Sequence, residues 1–149
     1  MKKFTFRLQI VLDMRKKVLE DKRLEMAKVI KRLNLHIEKL EELNEKQEKI
    51  TRDLNKLYEK EDIDIGGMQT YKSFSSKLYG DIRNQEKIIS DWKKLLRVKQ
   101  MEVNEALKQV KILEKLKEKE EKKFNDHINY LEEKEADDIT TTRYQAKIH

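Results

Sequence analysis

The stretch EDIDIGGMQTYKSF, residues 61–74, holds two of the three glycines of a 149-residue chain that contains no proline. Two adjacent glycines near the midpoint of a chain otherwise free of helix breakers mark a change of direction. Glycine accepts positive φ without the Cβ penalty, as the end of one helix and the tight entry to another require. The bend is therefore expected at about 63–68 and centred on Gly66 and Gly67.

On both sides of this stretch the apolar residues recur with a seven-residue period. Before it, Leu12, Leu19, Met26, Leu33, Leu40, Gln47 and Leu54 form one series, and Leu8, Arg15, Lys22, Val29, His36, Leu43, Ile50 and Leu57 a second, offset by three or four. After it, Ser75, Ile82, Ile89, Leu96, Val103, Val110, Lys117, Phe124 and Leu131 alternate with Leu78, Gln85, Trp92, Lys99, Ala106, Leu113, Glu120 and His127. Such a seam stays on one face only when the helix supercoils around a helical partner. The nearest partner is the other segment, so the fold class is all-α: a long antiparallel two-helix coiled-coil hairpin. The expected limits are helix 1 at about 5–62, helix 2 at about 69–138 and a C-terminal tail at 139–149, all within one coiled-coil domain. Arms of about 60 residues would make a stiff rod of roughly 90 Å. A parallel homodimer is the competing arrangement, and a monomeric hairpin is the expected state of the isolated chain.

A register centred on Gly66 pairs Leu19 with Leu113, Leu40 with Trp92, Leu54 with Leu78, and Gln47 with Gln85. The two amides would hydrogen-bond across the seam and penalise slipped registers, so Gln47, Gln85, Leu40 and Trp92 are the expected register-setting core. The same register also places Arg15 against Lys117, Leu12 against Glu120 and Leu33 against Lys99, which long basic stems can tolerate by snorkelling.

Composition narrows the function. Charged residues make up 43 % of the chain and hydrophobic residues 37 %, too few apolar side chains for a large globular core but enough for a narrow seam. Zero cysteines exclude disulfides and thiolate chemistry. No apolar run is long enough to span a membrane, and Arg7 interrupts what would be the apolar part of a signal peptide, so a cytoplasmic protein is expected. The net charge of +6 is mostly dispersed, but residues 1–17 carry a local balance of +5 and residues 131–138, LEEKEADD, one of −4. His36, His127 and His149 lack metal-ligand spacing, and no phosphate-binding loop occurs. No cofactor, metal site or catalytic residue is expected, and the chain reads as a non-enzyme. Aromatic residues gather just after the bend, where Phe74 and Tyr79 fall beside the seam and are expected to be partly exposed, as a partner site would be.

The opening FTFRLQIVLDMRKK carries the pattern F-x-F-x-L-Q-x-hydrophobic-L-x-x-R on Phe4, Phe6, Leu8, Gln9, Val11, Leu12 and Arg15. The close YLEEKEADDITTTRY carries acids at Glu132, Glu135, Asp137 and Asp138, followed by Arg143. In both respects, and in length, the chain resembles the FliJ family of the flagellar type III export apparatus. The resemblance implies a non-catalytic antiparallel coiled coil similar to the rotor stalk of a rotary ATPase. It implies three partners: the hexameric flagellar export ATPase, whose central hole receives the end carrying both termini; the export gate membrane protein FlhA; and export chaperones. In the family the gate contact uses a Tyr-x-x-Phe-x-x-x-Leu pattern after the bend, here Tyr71, Phe74 and Leu78. From charge and location, Arg7, Arg15 and Arg143 are the candidates for the ATPase ring. The implied location is the cytoplasmic side of the membrane at the flagellar base. The alternatives left open are the stalk of a virulence-type secretion system and a basic binder of nucleic acid or anionic membrane, with no nucleic acid expected on the first reading.

Overall fold

The computed structural model describes residues 2–60, 62 and 64–148. Two helices account for nearly all of them: α1, Gln9–Glu59, and α2, Ile65–Ile148. They pack against one another as a helical hairpin. Glu61, Ile63 (the first residue of the expected bend) and the terminal His149 lie outside the described residues. By its internal contacts the chain divides into two compact units, Met1–Asp21 with Asn104–His149, and Lys22–Val103.

The glycines do not make the bend. α1 ends at Glu59, short of the expected 62, and α2 begins at Ile65, ahead of the expected 69, so Gly66 and Gly67 lie inside the first turn of α2. No glycine has positive φ. Asp64 instead caps the helix: its carboxylate Oδ1 accepts from Gly67 N at 3.1 Å, and its carbonyl accepts from Met68 N at 3.0 Å. A Cβ at Gly67 would come within 2.7 Å of Asp64 Oδ2, so the glycine's service is to leave room for the capping carboxylate. Asp64→Ala is expected to lower stability by about 1 kcal/mol in urea titration. Asp62→Ala serves as the exposed control, and equal melts for the two variants would remove the cap from this account.

The other limits also move. α1 starts at Gln9 rather than near residue 5, and the residues before it are held by their side chains: Phe6 is 5 % exposed and Phe4 packs on Phe124 with ring centroids 5.8 Å apart. Where a tail was expected at 139–149, α2 continues to Ile148. The segment ITTT carries no glycine or proline, and the hydroxyls of Thr140, Thr141 and Thr142 bond back to the carbonyls of Ala136, Asp137 and Asp138 at 2.8–2.9 Å.

The seam is apolar as the heptads require, but its register differs from the one centred on Gly66. In the unit Lys22–Val103, Ile50, Leu78 and Ile82 form a buried cluster onto which Leu40, Leu43, Leu54 and Tyr71 pack. Gln47 does not meet Gln85. Gln47 Nε2 donates to Ser75 Oγ at 3.0 Å, while Gln85 Nε2 donates to the His36 carbonyl at 2.9 Å and lies 3.2 Å from His36 Nδ1. Trp92, expected against Leu40, stacks on His36 at 5.7 Å between ring centroids. Lys99, expected against Leu33, reaches Glu25 and Glu102. In the other unit, Lys117, expected against Arg15, donates to Gln9 Oε1 at 2.8 Å, and Leu12 is 1 % exposed. In each of these contacts the α1 residue meets an α2 residue nearer the turn than expected, by about one heptad on average. The shift has a physical reason: it gives Lys99 carboxylate partners and Lys117 an amide oxygen acceptor.

The two glutamines are therefore not equivalent. Gln85 is 3 % exposed, and its amide nitrogen is held by His36. The Oε1 of Gln47 is buried and without a partner among the described residues. Gln47→Leu is expected to stabilise by about 1 kcal/mol, since it removes an unsatisfied carbonyl, and Gln85→Leu to destabilise by about the same amount. Urea titration of the two single variants checks this, and shifts of the same sign would contradict it.

Candidate partner-binding sites

Just after the turn, Tyr71, Phe74 and Leu78 follow one another at steps of three and four, which places them along one side of α2. Their environments differ. Leu78, at 4 % exposure, is part of the buried cluster, and Tyr71 is half-buried against that cluster. Phe74 is 52 % exposed. With Gly67, Thr70 and Tyr71 it lines an open concavity of about 370 Å³ whose surface is mostly apolar. Absence of a side chain at Gly67 leaves that concavity open at the first turn of the helix. Tyr79 is also exposed, at the side of the seam. The arrangement offers one aromatic ring and an adjoining apolar notch to a partner, on a helix fixed from beneath by Leu78.

The unit Met1–Asp21 with Asn104–His149 carries the second set. Arg7, Arg15 and Arg143 are all exposed, and nothing brings them together into a cluster. Arg143 lies instead beside Glu135, Asp138, Ile139 and Thr142 around a shallow notch. From Asn129 to Lys147 every residue of α2 is exposed, including Tyr130, Leu131, Ile139 and Tyr144. Among the described residues this stretch has no partner helix on any face. Phe4 and Phe6, read from the sequence only as letters of a motif, are structural anchors that fix the start of the chain on α2. Their spacing of two, with Thr5 and Arg7 exposed on either side of buried Phe6, was the available signal.

Electrostatics is concentrated elsewhere, in a four-residue network within Lys22–Val103. Lys99 contacts Glu25 at 3.2 Å and Glu102 at 3.4 Å, and Lys22 contacts Glu102 at 3.5 Å and Glu25 at 3.7 Å. The hydrogen bond from Lys99, aided by the charge of Lys22, lowers the Glu25 pKa, and the bond to Glu25 raises that of Lys99. A carboxylate with a lowered folded pKa contributes stability above its ordinary pKa and loses it as pH falls. The network is solvent-exposed and screened, so its work is register rather than stability.

A family model described as "Flagellar FliJ protein" matches residues 3–148. The chain belongs to the FliJ family. No curated protein and no solved structure matches the chain. Membership makes it a flagellar export-associated protein that acts with the flagellar export machinery. No helix among the described residues is long and apolar enough to cross a membrane. In this FliJ-family chain, the phenylalanine after the turn and the end of α2 from Asn129 to Lys147 are exposed surfaces.

Proposed function

We propose that the chain is a non-catalytic stalk and escort of the flagellar export apparatus, held at the cytoplasmic face of the membrane by its partners. The exposed end of α2, with Arg7, Arg15 and Arg143, engages the hexameric export ATPase. Phe74 and its notch engage the export gate protein FlhA, with Tyr71 and Leu78 in support, and export chaperones bind as further partners. The observation that carries this reading is the contrast within one motif: Phe74 is half exposed while Leu78 is buried. Direct contact with the gate thus falls to the phenylalanine, and the leucine acts by holding the helix that presents it.

Support for the ATPase assignment is the long partnerless helix from Asn129 to Lys147 in the same unit as the basic first turns. A ring that closes around a helix buries such a surface from several sides at once. The test is calorimetric titration of the whole chain with the hexameric ATPase and, separately, with the soluble domain of the gate protein. Binding to both, with substitutions in one unit leaving the other partner's affinity intact, is the expected result. Failure to bind either would overturn the reading.

A further inference from the structure

Two exposed helix faces of this chain match one another in spacing and oppose one another in charge. On α1, Leu24, Lys28, Lys31 and Leu35 recur at steps of four, three and four, a single stripe. All four are exposed, Leu24 at 57 % and Leu35 at 50 %. Lys28, Lys31, Arg32 and Leu35 surround an open notch of about 420 Å³ whose lining is mostly apolar, since lysine and arginine stems form its walls. Beside the stripe Glu25 is tied to Lys99 and Lys22, and Asp21 and Glu38 lie one turn beyond Leu24 and Leu35, so the positive charge is confined to the centre of the stripe at Lys28 and Lys31.

On α2, Leu131, Glu135, Asp138 and Thr142 recur at the same steps, and all are exposed. Glu135, Asp138, Ile139, Thr142 and Arg143 surround a shallow, mostly apolar notch in which one basic residue stands with the two acids. Each stripe therefore has two like charges at its centre, a leucine at one end and a short or apolar residue at the other. Laid against each other in either direction, the pair of lysines meets the pair of acids.

We infer that these faces are an interface between two copies of the chain, the α1 stripe of one receiving the exposed end of α2 of the other. The contact is small: about three helical turns of narrow surface bury less than a stable dimer needs, which sets the affinity on the order of tens of micromolar at low salt. A dilute sample stays monomeric, and ionic strength controls the association because both stripes are solvent-exposed. The inference stands on the two faces alone and goes beyond the proposed function. Its consequence is that self-association covers the same helix end assigned to the ATPase, so the two events compete.

Sedimentation equilibrium of the full chain tests it, at about 0.02 M and about 0.5 M salt, where screening differs several-fold. Concentration-dependent association at low salt that vanishes at high salt is expected. Lys28→Glu with Lys31→Glu abolishes it, as does Glu135→Lys with Asp138→Lys, each with unchanged circular dichroism. Mixing the two double variants restores association, because reversed charges meet again across the interface. A monomer mass at every concentration, or association that survives either reversal or is not restored by mixing, overturns the interface. No ATPase or gate protein enters this experiment, so its failure leaves the proposed function untouched.

Discussion

Phe74→Ala is expected to weaken binding of the gate protein's soluble domain by about 30-fold, the effect of removing an aromatic contact worth about 2 kcal/mol at the centre of an interface. Helix content and melting temperature should not move, because the ring is half exposed and makes no part of the buried cluster. Leu78→Ala provides the contrast. At 4 % exposure the side chain lies in the core with Ile50 and Ile82, so truncation is expected to destabilise the hairpin by about 3 kcal/mol and to affect the gate only through the helix. Titration calorimetry paired with thermal melts separates the two. If Phe74→Ala binds the gate like the parent protein, the exposed ring is not the contact. If Leu78→Ala lowers affinity without lowering the melting temperature, the leucine itself reaches the gate and the roles are reversed.

Phe6→Ala is the second large effect, on stability. The residue precedes α1, yet it is 5 % exposed, and neighbouring Phe4 packs on Phe124. Removing a buried aromatic side chain costs about 3 kcal/mol, from lost burial and the cavity left behind. Ile10→Ala, at 76 % exposure only four residues on, should cost almost nothing. Urea denaturation followed by circular dichroism makes the comparison. Equal stability of the two variants would mean that the first residues do not hold the chain to α2. A consequence for function follows from the same anchor: Arg7 owes its position to Phe6 beside it, so Phe6→Ala should also weaken ATPase binding more than Ile10→Ala does.

Architecture was open to reading because it rests on periodicity. Apolar residues every seven positions, no proline and one interruption near the middle leave few options beyond two long helices folded on each other. The exposure of Phe74 and Tyr79 follows from the same counting, since a residue beside the seam of a two-helix pair has nothing to cover it. Other features were not legible for equally definite reasons. Gly66 and Gly67 look like a bend by type, but their φ values are negative, and the reversal happens before them because Asp64 caps α2. The threonines after Ile139 look like a helix end, yet their hydroxyls find acceptors in the preceding turn and the helix runs on.

By itself, the sequence determined that there are two helices, which faces they turn to each other, that one reversal joins them, and to which family the chain belongs. Tertiary structure alone decided the register. A heptad pattern repeats after seven residues, so sliding one helix by a full repeat restores every apolar contact to an apolar contact and leaves the pattern unable to choose. What breaks the tie is the singular contacts that do not repeat: Gln85 on His36, Trp92 stacked on that same ring, Lys99 between Glu25 and Glu102, Phe4 on Phe124. Each depends on two residues far apart in the chain being adjacent in space, and no spacing within either helix encodes that.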